Sequence, residues 1–587
     1  MGALVCALAA VTATLTGLLP GPVPSGPGAW ALGLLAGFVV WNGITIWWSV
    51  EPDRSWAYAN RGLVYLALCV LGLYVGALAP RPAQLVAGGL CLLLGGVLLW
   101  ALAGKVFPGL FPDGARVARL RNPVGYWNAL ALVCDFALPL FLWLSARRRE
   151  LGALGVYFAL VALLLTYSRG GLLVGAVAVL LWLWIGVSRR ESLATLAVTL
   201  PAALVVVGIA LVLPGVAKDH QSHSVRVQDG ALFGVALAVG GLLVLWLAHR
   251  ELRRMELRAL GAAAAVLVAV GAAAVAAKGG WLEGFRGSDT PQVSQGPGRI
   301  SSTSSNNRWI WWQEAWRVFQ DAPVAGKGAG AFKVARTPVR HNSLDTIEPH
   351  NVAIQALAEA GVIGLLLGGA AAIAALLAVV AAARRLEGQE RAAAVALALA
   401  VPSYLLHVLG DIDWDFVAAT APVFFALGVL IGAPSAVRVP RRRPLLALAV
   451  AVVALASLYS LTAPWLGARR VEDAYAALDR NDPAAAVSAA REARDLDPLS
   501  VQPLWVWALA EASAGNTDAA VRQYRRAIAL QPSNGETWYA LGAYEFSLGR
   551  YKAAYRYLNE AYTRDPYGPA GEKGGLLDQA RAKVLPQ

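Results

Sequence analysis

Residues 348–364 read Glu348-Pro349-His350-Asn351-Val352-Ala353-Ile354-Gln355-Ala356-Leu357-Ala358-Glu359-Ala360-Gly361-Val362-Ile363-Gly364. The first four close a polar loop. The rest open a run that stays apolar to about residue 383. A run of that length crosses a hydrocarbon core of roughly 30 Å. Lipid offers its backbone no water, so it must be helical. His350 therefore stands where an extramembrane loop meets a bilayer. That position suits an imidazole that handles a proton on a membrane-bound substrate better than one that packs a core.

Outward from this stretch, apolar runs of about 17 or more residues recur from the N-terminus to about residue 463, as about 14 candidate spans. With 57% hydrophobic residues among 587, the chain is too apolar for a soluble protein of its size. The expected fold is all-α: a polytopic transmembrane helix bundle of about 12–14 spans, a long extracytoplasmic loop and a C-terminal α-solenoid. The expected parts are an N-terminal bundle over 1–277, the loop over 278–350, further transmembrane helices over 351–465 and a repeat domain over 470–587. The first run lacks a basic leading segment and reads as a span, not a cleaved signal. Cys6, Cys69, Cys91 and Cys134 fall in apolar runs without metal-ligand spacing and read as small core residues.

The formal net charge is +13. Much of the excess lies in short loops between spans, where positive charge sets topology, so no nucleic acid partner is expected. Basic loops at Arg147-Arg148-Arg149, Arg189-Arg190, His249 to Arg258, Arg384 to Arg391 and Arg441-Arg442-Arg443 are each two spans apart. One parity puts all five in the cytoplasm. The loops at Ser168-Arg169-Gly170, 214–230, 278–350 and 407–415 then face outward, as does the region after the last span. The orientation of the first spans stays open.

Near Arg469 the chain becomes charged, alanine-rich and helical in period. Pro498, Pro532 and Pro566 each end a similar segment, at 532 − 498 = 34 and 566 − 532 = 34. Trp505 and Tyr539 share that interval, as do Gly515 and Gly549. A period of 34 with paired helices resembles tetratricopeptide repeats, over about 470–570. Such units bury their apolar stripes only against neighbours. The domain can offer a peptide-binding surface, and so a protein partner, or act as a cap on the membrane part.

The loop 278–350 is far longer than a helix connection requires. Within it, Trp309, Trp312, Trp316 and Phe319 recur on one helical face, with Asn306 or Asn307 as N-cap. That face either lines the resting place of a lipid-linked substrate or anchors the loop at the interface. Arg308 opens the helix and offers a fork suited to phosphate oxygens. Arg169 sits in a tight turn, Thr166 to Gly171, on the side where positive charge opposes the orientation signal, and two glycines follow it. Arg116, Arg119 and Arg121 precede a span on that same side and are further phosphate candidates. His220, His223 and Asp219 lack a third ligand with telling spacing, so no metal is expected. Gly326-Lys327-Gly328-Ala329-Gly330 lacks the pattern of a nucleotide loop and reads as a turn-rich linker. Asp411 and Asp413, near His407, either tune protons at an outer loop or are solvated.

These motifs together resemble the O-antigen ligase and polymerase superfamily of polytopic membrane glycosyltransferases. The resemblance rests on Ser168-Arg169-Gly170-Gly171, on Arg308 with its tryptophans, and on His350-Asn351 followed by Glu359-Ala360-Gly361-Val362-Ile363-Gly364. Arg121-Asn122-Pro123 with Asn128 is a weaker match. It covers roughly residues 30–435. It implies transfer of a glycan from an undecaprenyl-diphosphate carrier to a hydroxyl acceptor at the outer face of the bacterial cytoplasmic membrane, with no cofactor and no metal. By the resemblance, His350 is the general base, Arg169, Arg308 and Arg121 bind the pyrophosphate, and Asn351 and Trp312 support the site. The acceptor is a lipid, a glycan or a protein. The simplest ligases lack the repeat domain, which leaves polymerisation or protein glycosylation open. A transporter would need polar residues in mid-span, which are scarce. A scaffold that only displays the repeats is the non-enzymatic alternative.

Overall fold

The computed structural model describes residues 1–24, 26–250, 259, 262, 281–287, 296–438 and 442–584. The fold is all-α. Each apolar run before residue 250, and each after residue 350, forms a helix. The run 259–277 and most of the basic loop ending at Arg258 lie outside the described residues. Among the described residues, nine helices are long and apolar enough to cross a membrane. Three shorter apolar helices, Gly2–Thr16, Arg169–Ile185 and Val417–Gly432, stand beside them. The one sheet among these residues has two strands, with Gly21 opposite Arg438.

The Trp127–Ser145 helix is the axis of the bundle, 94% buried over its apolar window. It packs on Pro82–Val106, Arg149–Leu165, Arg169–Ile185 and Gly388–Val408. Small residues let other pairs close tightly. A Cβ on Gly72 would lie 2.2 Å from the Phe425 carbonyl, and one on Gly428 would lie 1.9 Å from that of Cys69. Backbone-to-backbone packing of this kind takes the place of the hydrophobic effect between helices in lipid.

The bundle has two chemically different ends. At one, Arg147 donates to Gln84 and Gln389 at 2.8 and 2.6 Å. The Trp127–Ser145 helix then carries the chain about 27 Å, at 1.5 Å per residue, to the end that holds Asn128. The Arg443 N–H donates to the Leu15 carbonyl at 2.8 Å, which ties the C-terminal end of the first helix to the basic Arg443 region.

At the other end the Val352–Arg385 helix is kinked at Gly361 (φ 68°, ψ −169°). The glycine-rich segment read as a linker fills the kink. Lys327 N–H and Gly328 N–H donate to the carbonyls of Ala358 and Glu359, and Val362 N–H donates to that of Pro323. The Glu359 side chain accepts from Gly330 N–H at 2.8 Å and Phe332 N–H at 3.3 Å. Backbone groups freed by the kink are thus paired with the loop, which fixes the loop relative to the helix that His350 and Asn351 introduce.

The Pro444–Asp479 helix runs 36 residues without a break, about 54 Å. No linker separates the membrane part from the repeats at 465–470. Its apolar half is 11% buried, while Ala474 and Ala477 pack into the first repeat. Five further paired helices follow, from Pro483–Leu496 to Tyr551–Arg564. The solenoid docks on the long loop. Arg340 Nε and Nη2 each donate to the Asp565 carboxylate at 2.7 Å, and Lys333 pairs with Glu536 at 3.1 Å.

Candidate functional site

Four segments distant in sequence meet at the end opposite the Arg147 cluster. The first is the turn before the Arg169–Ile185 helix. Ser168 caps it, accepting from Gly171 N–H at 3.1 Å, and Tyr167 turns the chain with φ 50°. Arg119 secures that turn by donating to the Thr166 carbonyl at 2.7 Å. Arg119 also bonds the Asn128 side chain at 3.0 Å and lies over the Trp127 ring at 4.3 Å. The second segment is the start of the Arg308–Asp321 helix. The third is His350, with φ 56°. The fourth is the stretch from Leu406 to Asp411.

Asp411 is the hub. It accepts from Arg308 Nη2 at 2.7 Å, Tyr126 Oη at 2.7 Å, Ile412 N–H at 2.9 Å and the Asn128 amide. Burial disfavours its charge, but Arg308, His350 and His407 outweigh that and hold the carboxyl below its ordinary range. A buried carboxylate with this many donors positions Arg308 rigidly.

His350 is oriented from both sides. Its ring stacks on Trp311 with centroids 5.0 Å apart. Its Nδ1 lies 3.0 Å from the Glu348 carbonyl. A carbonyl can only accept, so Nδ1 carries the proton, and in the neutral ring Nε2 keeps its lone pair. Burial pushes the imidazole below its ordinary range, with Arg308 acting the same way and Asp411 against. The ring is thus neutral near pH 7 and basic at Nε2.

These groups line a cavity of about 440 Å³. Among the described residues its cations are Arg119, Arg169, Arg299 and Arg308, and its carboxylate is Asp411. Four polar atoms on its lining residues are buried with no hydrogen-bond partner among the described residues: Tyr167 Oη, Arg308 Nε, Trp311 Nε1 and His407 Nε2. Leaving a buried donor unpaired costs about 1–3 kcal/mol. Guanidinium groups beside donors with no partner among the described residues suit an anion rich in acceptor oxygens.

Of the residues expected at the site, His350, Arg169 and Arg308 meet in this cavity. Arg169 also donates to the carbonyls of Ser302 and Ser304, the latter at 2.6 Å, and so ties down the loop that roofs the site. Three residues fall elsewhere. Arg121 pairs with Asp113 at 2.5 Å outside the lining, and Arg119 takes the place expected of it. The nearby acid eight residues upstream was the signal that Arg121 already has a partner. Asn351 caps the Val352–Arg385 helix, accepting from Ala353 and Ile354 N–H. Trp312 packs on Trp309 and Phe285, and Trp311 lines the cavity. Trp309 meets Trp312 and Trp316 meets Phe319, as the expected face requires, while Glu314 faces inward and pairs with Arg336 at 2.7 Å. A hydrophobic count puts such a residue outside. Asn307 takes the N-cap position, with φ 65°, but its side chain makes no capping bond.

The other candidates lie apart. Asp219 accepts from Ala118 N–H at 2.8 Å. Among the described residues no group of three or more His, Cys, Asp or Glu side chains is arranged to hold a metal ion. His407 and Arg299 enter the lining without having been expected there.

An O-antigen ligase family profile matches residues 228–368, and a tetratricopeptide repeat profile matches residues 505–569. No curated protein sequence matches the chain. The chain is therefore a multi-pass membrane protein with an O-antigen ligase domain and C-terminal tetratricopeptide repeats, as its motifs implied. The matched region includes Arg308 and His350, whereas Arg169 lies outside it.

Proposed function

We propose that this O-antigen ligase-like protein transfers a glycan from an undecaprenyl-diphosphate carrier to a hydroxyl acceptor at the outer face of the cytoplasmic membrane. One observation carries the reading: a basic imidazole shares a cavity with four arginines and with buried polar atoms that have no partner among the described residues. In the reaction the acceptor oxygen bonds the anomeric carbon while the bond to the diphosphate oxygen breaks. The leaving diphosphate keeps the electron pair. His350 Nε2 takes the acceptor proton, and Arg308 and Arg169 neutralise the charge that develops on the diphosphate. The rigid Asp411 bond keeps Arg308 in place for this, so little reorganisation accompanies the step. The site's position opposite the Arg147 cluster supports the outward assignment, and no metal is called on.

The repeats, docked through Arg340 and Lys333 on the loop that also carries Arg308 and His350, favour an acceptor or partner that is a protein or a long glycan. Reconstitution tests the reading. Purified protein in lipid nanodiscs should consume a synthetic undecaprenyl-diphosphate glycan only when an acceptor is supplied. Release of the carrier with no new glycosidic product would contradict it. Comparing lipopolysaccharide, capsule and glycoproteins after gene deletion then identifies the acceptor.

A further inference from the structure

A second histidine faces the same cavity from the wall opposite the loop. His407 is 3% exposed, in the last turn of the Gly388–Val408 helix. Its Nδ1 lies 2.5 Å from Asp413 Oδ2, and Asp413 is fully buried. Its Nε2 has no partner among the described residues, although the residue lines the cavity. A Cβ added at Gly170 would sit 4.0 Å from that nitrogen, so it faces the glycine directly after Arg169.

The arrangement is specific. A carboxylate accepts only, so the Asp413 bond fixes the proton on Nδ1. It also anchors the ring with Nε2 toward the cavity. The Asp413 carboxylate at Nδ1 supplies the counter-charge that an imidazolium in a water-poor place requires. A merely structural histidine would have both nitrogens satisfied within the protein.

We propose that His407, anchored by Asp413, is a diphosphate ligand that donates from Nε2 to a phosphate oxygen beside Arg169. This rests on the proposed function, because the anion it would meet is the carrier's diphosphate. It separates two histidines by role: His350 accepts the acceptor's proton, and His407 holds the leaving group. No covalent step is added.

The test is binding, not turnover. Undecaprenyl diphosphate is titrated into nanodiscs holding wild-type protein, His407→Ala, His407→Gln or Asp413→Asn. The Gln amide can replace the Nε2–H donor. A hydrogen bond to a charged group corresponds to about a ten- to hundredfold change in affinity. The expected result is that loss in His407→Ala, most of it recovered in His407→Gln, and a smaller loss in Asp413→Asn. Wild-type affinity in His407→Ala, or equal weakening in Ala and Gln, overturns the proposal. Should His407→Ala fail to fold, wild-type protein labelled with 15N-histidine decides. Undecaprenyl diphosphate must shift the resonance that His407→Gln removes, and an unmoved resonance overturns the proposal. If wild-type protein does not bind undecaprenyl diphosphate at all, the proposed function fails first, which is a different outcome.

Discussion

The His350 ring stacks on Trp311 with their centroids 5.0 Å apart and their planes 27° from parallel. The contact spans the long loop and fixes the imidazole before any substrate arrives. Such stacking is worth about 0.5–1.5 kcal/mol. Trp311→Ala should therefore lower kcat/KM for glycan transfer about three- to tenfold, while Trp312→Ala stays near wild type. Equal losses in the two variants would show that the tryptophans act only as an interfacial belt.

In the proposed mechanism the neutral form of His350 takes the proton, and burial keeps its pKa below the ordinary 6.5. The sign follows directly. Protonation, and loss of activity, should come only as pH falls through that lowered value, so kcat/KM is flat near pH 7 and declines below pH 6.5. Asp411→Asn removes the charge that pulls the imidazole upward and should move the acid limb further down. A limb above pH 6.5 in the wild type contradicts this assignment.

Gly361 holds a backbone conformation that side chains avoid, and a Cβ there would lie 2.1 Å from the Val324 carbonyl. Strain of this kind costs roughly 1–3 kcal/mol, before any clash is added. Gly361→Ala should lower the thermal midpoint in detergent and loosen the loop. Gly369→Ala, with nothing within 4 Å of its added Cβ, is the neutral control. Equal midpoints in the two variants would mean that the kink is not fixed by the loop.

Arg340 and Asp565 form a bidentate pair, 7% and 14% exposed. Removing one partner of a buried pair costs about 3–5 kcal/mol. Asp565→Ala should expose the docking face of the repeats to hydrogen exchange, and the reversed pair Arg340→Asp with Asp565→Arg should restore part of the protection. Unchanged exchange in the single variant would mean the repeats are held by other contacts.

Local pattern carried most of the fold. Apolar run length found the helices, and the interval of 34 between Pro498, Pro532 and Pro566 found the repeats. Sequence also marked His350, Arg169 and Arg308, because a histidine or arginine between a polar loop and an apolar run conflicts with its surroundings. What pattern could not supply was pairing across distance. Arg121 and Arg119 differ only in their partners, Asp113 in one case and Thr166 with Asn128 in the other. Trp311 and Trp312 differ by about 100° of helix rotation, which Glu314 decides by turning inward to Arg336. His407 was visible beside Asp411 and Asp413, but not that Asp413 bonds its Nδ1 and leaves Nε2 facing the cavity. The continuity of Pro444–Asp479 was likewise invisible, since a membrane stripe and a repeat stripe can share one helix.

The central claim is that one cavity both holds a polyprenyl diphosphate and deprotonates an acceptor, with His350 as the base. The most direct measurement compares donor binding and single-turnover transfer in wild type and His350→Gln, reconstituted in nanodiscs. The account predicts unchanged binding of the undecaprenyl-diphosphate glycan and a transfer rate lower by about 10²–10⁴. Wild-type transfer by His350→Gln, or a loss explained wholly by weaker donor binding, would contradict it.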